Sequence, residues 1–321
     1  MTKDDMIVDW IKRHDKLIVF VLFMGFVVYA FLTVIFNLDA FYETFIASVF
    51  FLLLVIGSIA VAIKSRLAPK EKIRFLNWES LFVFAGVILT YEISYLFSWS
   101  SVLSSASIGF FGYLFFRKYS MGIYCGSFAG MMSYAILNHY QMLIVGIVCV
   151  FSFQIIKTIL DGYGGRLGSI AFISTTIVSL IFAKSMLEIE VEVIWYLVFV
   201  FAVAGSMISS FIHNQLGKSA VLASALPSLI ITILIDFLFP NLAVYSGIFF
   251  TASFVGMSNK YVITNWIISL IIGIILAIIF LLFLDYFNGF GGKMGLMAFT
   301  SIMISQGLFY LAKKVKLFIF R

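Results

Sequence analysis

The residues with the most chemistry to offer occur twice. Asp161-Gly162-Tyr163-Gly164-Gly165-Arg166-Leu167-Gly168-Ser169 is matched 127 positions later by Asn288-Gly289-Phe290-Gly291-Gly292-Lys293-Met294-Gly295-Leu296, with every glycine and the basic residue kept. Each glycine costs about 1 kcal/mol relative to alanine inside a helix, so such a run is where a helix stops, turns and restarts. At a restart the free backbone N–H groups and the positive end of the helix dipole point the same way. Arg166 or Lys293 adds a full charge there. Gly164, Gly165, Arg166, Ser169, Gly291, Gly292 and Lys293 are therefore candidates to bind an anion or a polar carbonyl group. The competing reading is structural: the glycines let helices approach closely, and the basic heads reach out to lipid headgroups.

Two further matches lie upstream in the same order. Ser127-Phe128-Ala129-Gly130-Met131 recurs as Ser253-Phe254-Val255-Gly256-Met257 at an offset of 126, and Val102-Leu103-Ser104-Ser105-Ala106 as Val221-Leu222-Ala223-Ser224-Ala225 at 119. Three ordered matches mark an internal duplication with small loop insertions. The Ser-Phe-x-Gly-Met pieces lie in apolar segments too short to cross a bilayer comfortably. Unwound backbone survives in lipid only beside protein or a wet cavity, which makes Ser127, Gly130, Ser253 and Gly256 a second candidate set for lining a path. Small residues at a helix crossing are the alternative.

The elements that position these residues follow from composition. The 321-residue chain is 63% hydrophobic and 11% charged, far from the roughly 25% charged of soluble domains, and reads as an all-α polytopic membrane protein. No polar stretch is long enough for a soluble domain or an ATPase module. The net charge of +6 comes from brief Lys/Arg clusters between apolar runs, which fits cytoplasmic loops better than nucleic-acid binding. Cys125 and Cys149 lack disulfide or metal spacing. No hydrolase, nucleotide or metal motif appears around His14, His139 or His213, so neither enzyme chemistry nor a cofactor is indicated.

About twelve membrane helices are expected. Residues 1–16, with Ile7, Val8, Trp10 and Ile11 among charges, suit an interfacial segment, and the span after it shows no cleavage pattern of a removed leader. Residues 17–76 form a hairpin that passes Asp39 and Glu43 and returns to the basic loop of Lys64, Arg66, Lys70, Lys72 and Arg74. Residues 77–192 are the first copy, with segments at 79–97, 102–116, 121–136, 141–156 and 167–183. Residues 193–312 are the second, with segments at 193–212, 219–238, 246–257, 261–284 and 294–312. A basic tail, 313–321, ends the chain. Five crossings per copy is odd, which turns the second copy upside down relative to the first. Positive-inside charge then places both termini in the cytoplasm of a cell-membrane protein. Making 121–136 and 246–257 re-entrant would give parallel copies instead and would move Glu188, Glu190 and Glu192 to the cytoplasmic side.

Intramembrane acids are few. Glu92 and Asp236 each lie near a span end and are candidates for proton or cation coupling. Asp161 and Asp285 precede the glycine turns without aligning with one another, and Pro227 is expected to kink its helix. The leading expectation is a transporter or channel for a small solute, anionic or carbonyl-bearing, working between the twin turns. A proton- or cation-coupled carrier, a non-transporting scaffold or complex subunit and a lipid-handling protein are the rivals. The bilayer and a small solute or ion are the expected partners, and a homo-oligomer is compatible with all of these readings.

Overall fold

The computed structural model describes residues 3–64, 77–189 and 191–319, with side chains described for 16–63, 77–189 and 191–316. The described residues form twelve α-helices and no strand: α1 (Lys3–Ile35), α2 (Phe41–Lys64), α3 (Trp78–Phe97), α4 (Ser101–Phe115), α5 (Ser120–Ala129), α6 (His139–Ile156), α7 (Arg166–Ile181), α8 (Trp195–Ser210), α9 (Ala220–Leu238), α10 (Ala243–Gly256), α11 (Trp266–Leu282) and α12 (Lys293–Ile319). Seven are long and apolar enough to cross a membrane, and Ser101–Phe115, Arg166–Ile181 and Trp266–Leu282 are apolar but shorter. Leu22, Leu52, Leu96 and Phe237 stand exposed on outward faces, as a lipid-bathed bundle requires. Trp78, Trp195 and Trp266 open their helices and are exposed, where an interfacial ring is favoured.

The expected first span and the segment before it are one continuous helix, α1. The side chains of Ile7, Val8, Trp10 and Ile11, the loop bases from Arg66 to Arg74, Glu190 and Arg321 lie outside the described residues. α9 runs through Pro227 as one helix.

Helix starts are set by short polar side chains that satisfy otherwise free N–H groups. Ser100 and Ser219, 119 apart, accept from Leu103 N and Leu222 N. Asn138 and Asn265, 127 apart, accept from Gln141 N and Ile268 N. Every helix pair packed together within α3–α7 has a packed counterpart within α8–α12.

The segment expected as a single span at 121–136 is helical only to Ala129 and continues as non-helical chain to Asn138. Its course is fixed by three glycines four residues apart, which bring α5 against the backbone of α3. A Cβ on Gly122 would lie 3.3 Å from Glu79 O, one on Gly126 2.1 Å from Val83 O, and one on Gly130 2.4 Å from Val87 O. α5 therefore runs parallel to α3. The non-helical part, which includes a turn at Ser133–Leu137, ends where Tyr91 Oη donates to Leu137 O at 2.6 Å and His139 meets Glu92. Between the levels of Glu79 and Glu92 this chain climbs about 20 Å at 1.5 Å per residue. α6 then descends alongside α3, with Gln154 Nε2 donating to Ser80 Oγ at 3.0 Å. α10 follows α8 in the same way, from Tyr245 Oη at Ile194 N to Gly256 against Ser209 and Ser210. We call the end where α3 starts the near end and the opposite one the far end.

α7 and α12 cross at glycine on glycine. A Cβ on Gly168 would sit 2.5 Å from Gly295 Cα, and one on Gly295 would sit 2.3 Å from Gly168 Cα. Gly168→Val is expected to lower stability by about 2–3 kcal/mol, because backbone on both sides leaves no room to relax. Gly25→Ala, with nothing within 4 Å of a new Cβ, is expected to be neutral or slightly stabilising. Thermal melts of the two purified variants in detergent make the comparison.

Candidate functional site

Each glycine turn uses the same left-handed residues. Leu160, Gly162 and Gly165 have φ of 57, 80 and 73°, and Phe287, Gly289 and Gly292 have 58, 83 and 85°. Only glycine adopts such angles without strain, which is why four of the six are glycine.

The basic residues turn inward. Arg166 is 3% exposed and donates through Nη1 to Lys157 O at 2.7 Å and Ile159 O at 3.0 Å, and through Nη2 to Asp161 Oδ1 at 3.0 Å. Lys293 Nζ donates to Leu284 O at 3.2 Å and Asn288 Oδ1 at 2.7 Å. Lys157 and Leu284 are 127 apart, as are Asp161 and Asn288. Each cation thus clasps the last turn of the preceding helix to the start of its own, satisfying carbonyls that a helix end leaves free. The substitution of Asn288 for Asp161 keeps the accepting oxygen and removes the charge. The first clasp pairs its cation with a carboxylate and the second with a neutral amide.

Each turn also seats on the short helix of the other copy. Gly164 N–H donates to Ser258 Oγ at 3.0 Å, and Asn259 N–H donates to Gly162 O at 2.9 Å. Across from these, Ser133 N–H donates to Gly289 O at 2.8 Å, and Thr175 Oγ1 donates to Gly291 O at 2.8 Å. A Cβ on Gly164 would meet Phe254 O at 2.0 Å, and one on Gly291 would meet Ala129 O at 2.4 Å.

Beside each turn is a cavity. The first, about 210 Å³, is lined by Asp161 to Leu167, Phe128, Phe254, Met257 and Ala220, among others. The second, about 230 Å³, is lined by Asn288, Gly289, Phe290, Gly292, Lys293, Met294, Met131 and Ser101, among others. Asp161/Asn288, Gly165/Gly292, Arg166/Lys293, Met257/Met131 and Ala220/Ser101 are equivalent pairs at the offsets of 127, 126 and 119. An aromatic cluster walls the first cavity. The rings of Phe128 and Phe254 are 4.6 Å apart, Tyr124 to Phe128 is 4.3 Å and Phe250 to Phe254 is 4.6 Å. All four side chains are buried. Phe128 and Phe254 wall the first cavity; Gly247, three residues before Phe250, and Met131, three after Phe128, wall the second.

The remaining candidates separate clearly. Gly165, Arg166, Gly292 and Lys293 border cavities, as does Gly164, whereas Ser169 Oγ bonds back to Gly165 O at 3.2 Å. Ser127 and Ser253 point away from both cavities to their neighbours on α4 and α9, with Ser105–Ser127 at 2.9 Å and Ser224–Ser253 at 2.7 Å. Gly130 and Gly256 are packing contacts. Glu92 pairs with His139 at 2.7 Å, and Asp236 Oδ2 accepts from Ser100 Oγ at 2.8 Å. Sequence reasoning misses the barrier rings and the clasp partners Asp161 and Asn288, although the repeat offsets already pair them.

Arg166→Leu is expected to cost about 3 kcal/mol in a thermal melt, because it leaves the buried Lys157 and Ile159 carbonyls with lost partners. Asp161→Asn recreates the Asn288 arrangement around a carboxylate that is 69% exposed, so its cost should stay below about 1 kcal/mol. Comparison with protein-family models, curated proteins and solved structures finds no match, and the functional reading therefore rests on the twin turns and the cavities beside them.

Proposed function

We propose that this protein is a membrane transporter or channel that moves a small solute, bearing an anionic or carbonyl oxygen, between the two cavities. In this reading α3–α7 and α8–α12 are inverted copies, the near end is cytoplasmic, and both termini lie on that side. The climb of residues 120–138 along α3 supports five crossings per copy, because the chain passes from the near end almost to the far end before α6 returns. An odd number of crossings in the first copy inverts the second.

One observation carries the proposal: each glycine turn borders a cavity, the two linings share equivalent residues, and equivalent rings meet at the wall of the first. Equivalent residues touch only where a pseudo-two-fold axis passes between them. Phe128 against Phe254 and Gly168 against Gly295 are two such places. With the axis in the membrane plane, both lie at mid-depth. Each cavity then leads from its own side to a closed aromatic plug, an occluded arrangement that opens on one side or both. Glycine-turn amides with a nearby cation offer the donors that a carboxylate or carbonyl oxygen needs. Lys293 has a neutral amide as partner where Arg166 has a carboxylate, so the two cavities differ in the hydrogen bonding they offer.

The tight backbone contacts of Gly164 and Gly291 favour a second reading, a scaffold whose turns only pack. Flux into proteoliposomes separates the two. With small monocarboxylates, amides and inorganic anions as separate probes, one class should enter at least about tenfold faster than into protein-free liposomes. Widening the plug with Phe128→Ala and Phe254→Ala together should raise that rate, and Lys293→Gln should lower it. Rates equal to protein-free liposomes for every probe, in wild type and in the widened variant, would leave the scaffold standing. Orientation is tested separately: cysteines at the exposed Asp161 and Asp285 should label from opposite sides of the membrane, whereas parallel copies would label from one side.

A further inference from the structure

α9 carries a row of oxygens that the solute path does not use. Ser228, Thr232 and Asp236 are four residues apart and share one ridge of the helix. At its far end this ridge meets the N-cap of α4, where Ser100 Oγ donates to Asp236 Oδ2 at 2.8 Å; one turn before Ser228, Ser224 of the same row bonds Tyr124 and Ser253. Ser228 and Thr232 are 0% exposed. The hydroxyls of both, and Asp236 Oδ1, are buried without a hydrogen-bond partner.

Buried hydroxyls on helices ordinarily return a bond to the carbonyl four residues back. Ser174, Thr251, Ser301 and Ser305 do so here. Ser228 and Thr232 do not, and Thr232 lies one turn before Asp236 on the same face. No counter-charge answers that carboxylate. The helices packed against α9 are α4, α5, α8 and α10, and none carries Asp, Glu, Lys, Arg or His. Their titratable groups are Tyr113, Tyr124, Cys125, Tyr196 and Tyr245. His213, in the turn after α8, is held at the near end by Lys218 O and Asn259. Asp236 makes no ion pair among the described residues. A dry carboxylate oxygen with neither donor nor cation is strongly unfavourable. The row is also no part of the duplicated scaffold, since the positions 119 earlier are Gly109, Tyr113 and Arg117.

We propose that Asp236 and Thr232, with Ser228 next on the ridge, form a site for sodium reached from the far end of α9. Side chains spaced by four lie on one helix face, and one net negative charge suits a single positive one. The site stands apart from both cavities, so cation binding is testable whether or not a solute is moved.

The test is the melting temperature of the purified full-length protein in detergent, with sodium chloride titrated against choline chloride at constant ionic strength. Saturating sodium raises the wild-type Tm by roughly 3–6 °C. Thr232→Val is the decisive variant, since it removes an unpartnered hydroxyl and should melt in choline no lower than wild type. It should nonetheless need at least about tenfold more sodium for the same response, a 1.4 kcal/mol change in binding. A wild type indifferent to sodium, or an undiminished response in Thr232→Val, overturns the site.

Discussion

The contact that the rest of the structure depends on is the backbone crossing of α7 and α12. At Gly168 and Gly295 no side chain of any size fits between the helices, and a Cβ on Gly165 or Gly292 would lie 2.4 Å from the amide nitrogen of Phe299 or Phe172. Lipid supplies no hydrophobic drive for one helix to meet another, so close approach of small residues has to supply the attraction. Once the helix starts are pinned together, the turn before each is carried onto the short helix of the other copy. Those short helices end early because glycine turns occupy the space beyond them, and the two cavities are what this arrangement leaves unfilled.

The same crossing explains how buried charge is tolerated. A helix that begins inside the protein leaves its predecessor's last carbonyls without partners, and a buried cation needs acceptors. Arg166 and Lys293 solve both problems at once by binding the carbonyls of Lys157 and Leu284. The clasp works with Arg and Asp or with Lys and Asn, so the geometry constrains hydrogen bonding and leaves net charge free. That freedom lets two structurally alike turns present different potentials to their cavities.

Much of this architecture is legible in the sequence, and unevenly so. The turns are readable because left-handed backbone demands glycine at Gly162, Gly165, Gly289 and Gly292, and a demand of that kind survives duplication as a fixed spacing. The spans are readable as spans but not as faces. With 38 phenylalanines in the chain, nothing in composition distinguishes Phe128 and Phe254 at the barrier from rings in lipid. The reading of 121–136 as one continuous segment fails at Gly130 for a related reason. Gly122, Gly126 and Gly130 look like one ridge of a helix, yet the helix ends at Ala129 and the chain goes on in turns. The inward aim of Arg166 is hidden because its acceptors are mostly backbone carbonyls, which no residue type announces.

The N-terminal hairpin, which has no counterpart in the repeat, bears on where any movement can occur. Phe23 of α1 packs edge-on against Phe299 at 5.3 Å, and Phe26 packs against Phe172 at 5.9 Å. Phe172 and Phe299 are equivalent residues on α7 and α12, so α1 lies across the crossing and holds both partners. α2 adds a second close contact to α12, where a Cβ on Gly57 would lie 1.9 Å from Met303 O. Sliding α7 past α12 would break the glycine contact and both ring contacts together, with no compensating contact in prospect. The plug is bound differently: its rings meet at edge-to-face and tilted angles, and ring pairs of this kind are each worth only about 0.5–1.5 kcal/mol beyond area burial. Under the proposed function, movement confined to the side chains of α5 and α10 would leave the contacts among α1, α2, α7 and α12 intact, whereas rocking of one half against the other would break them.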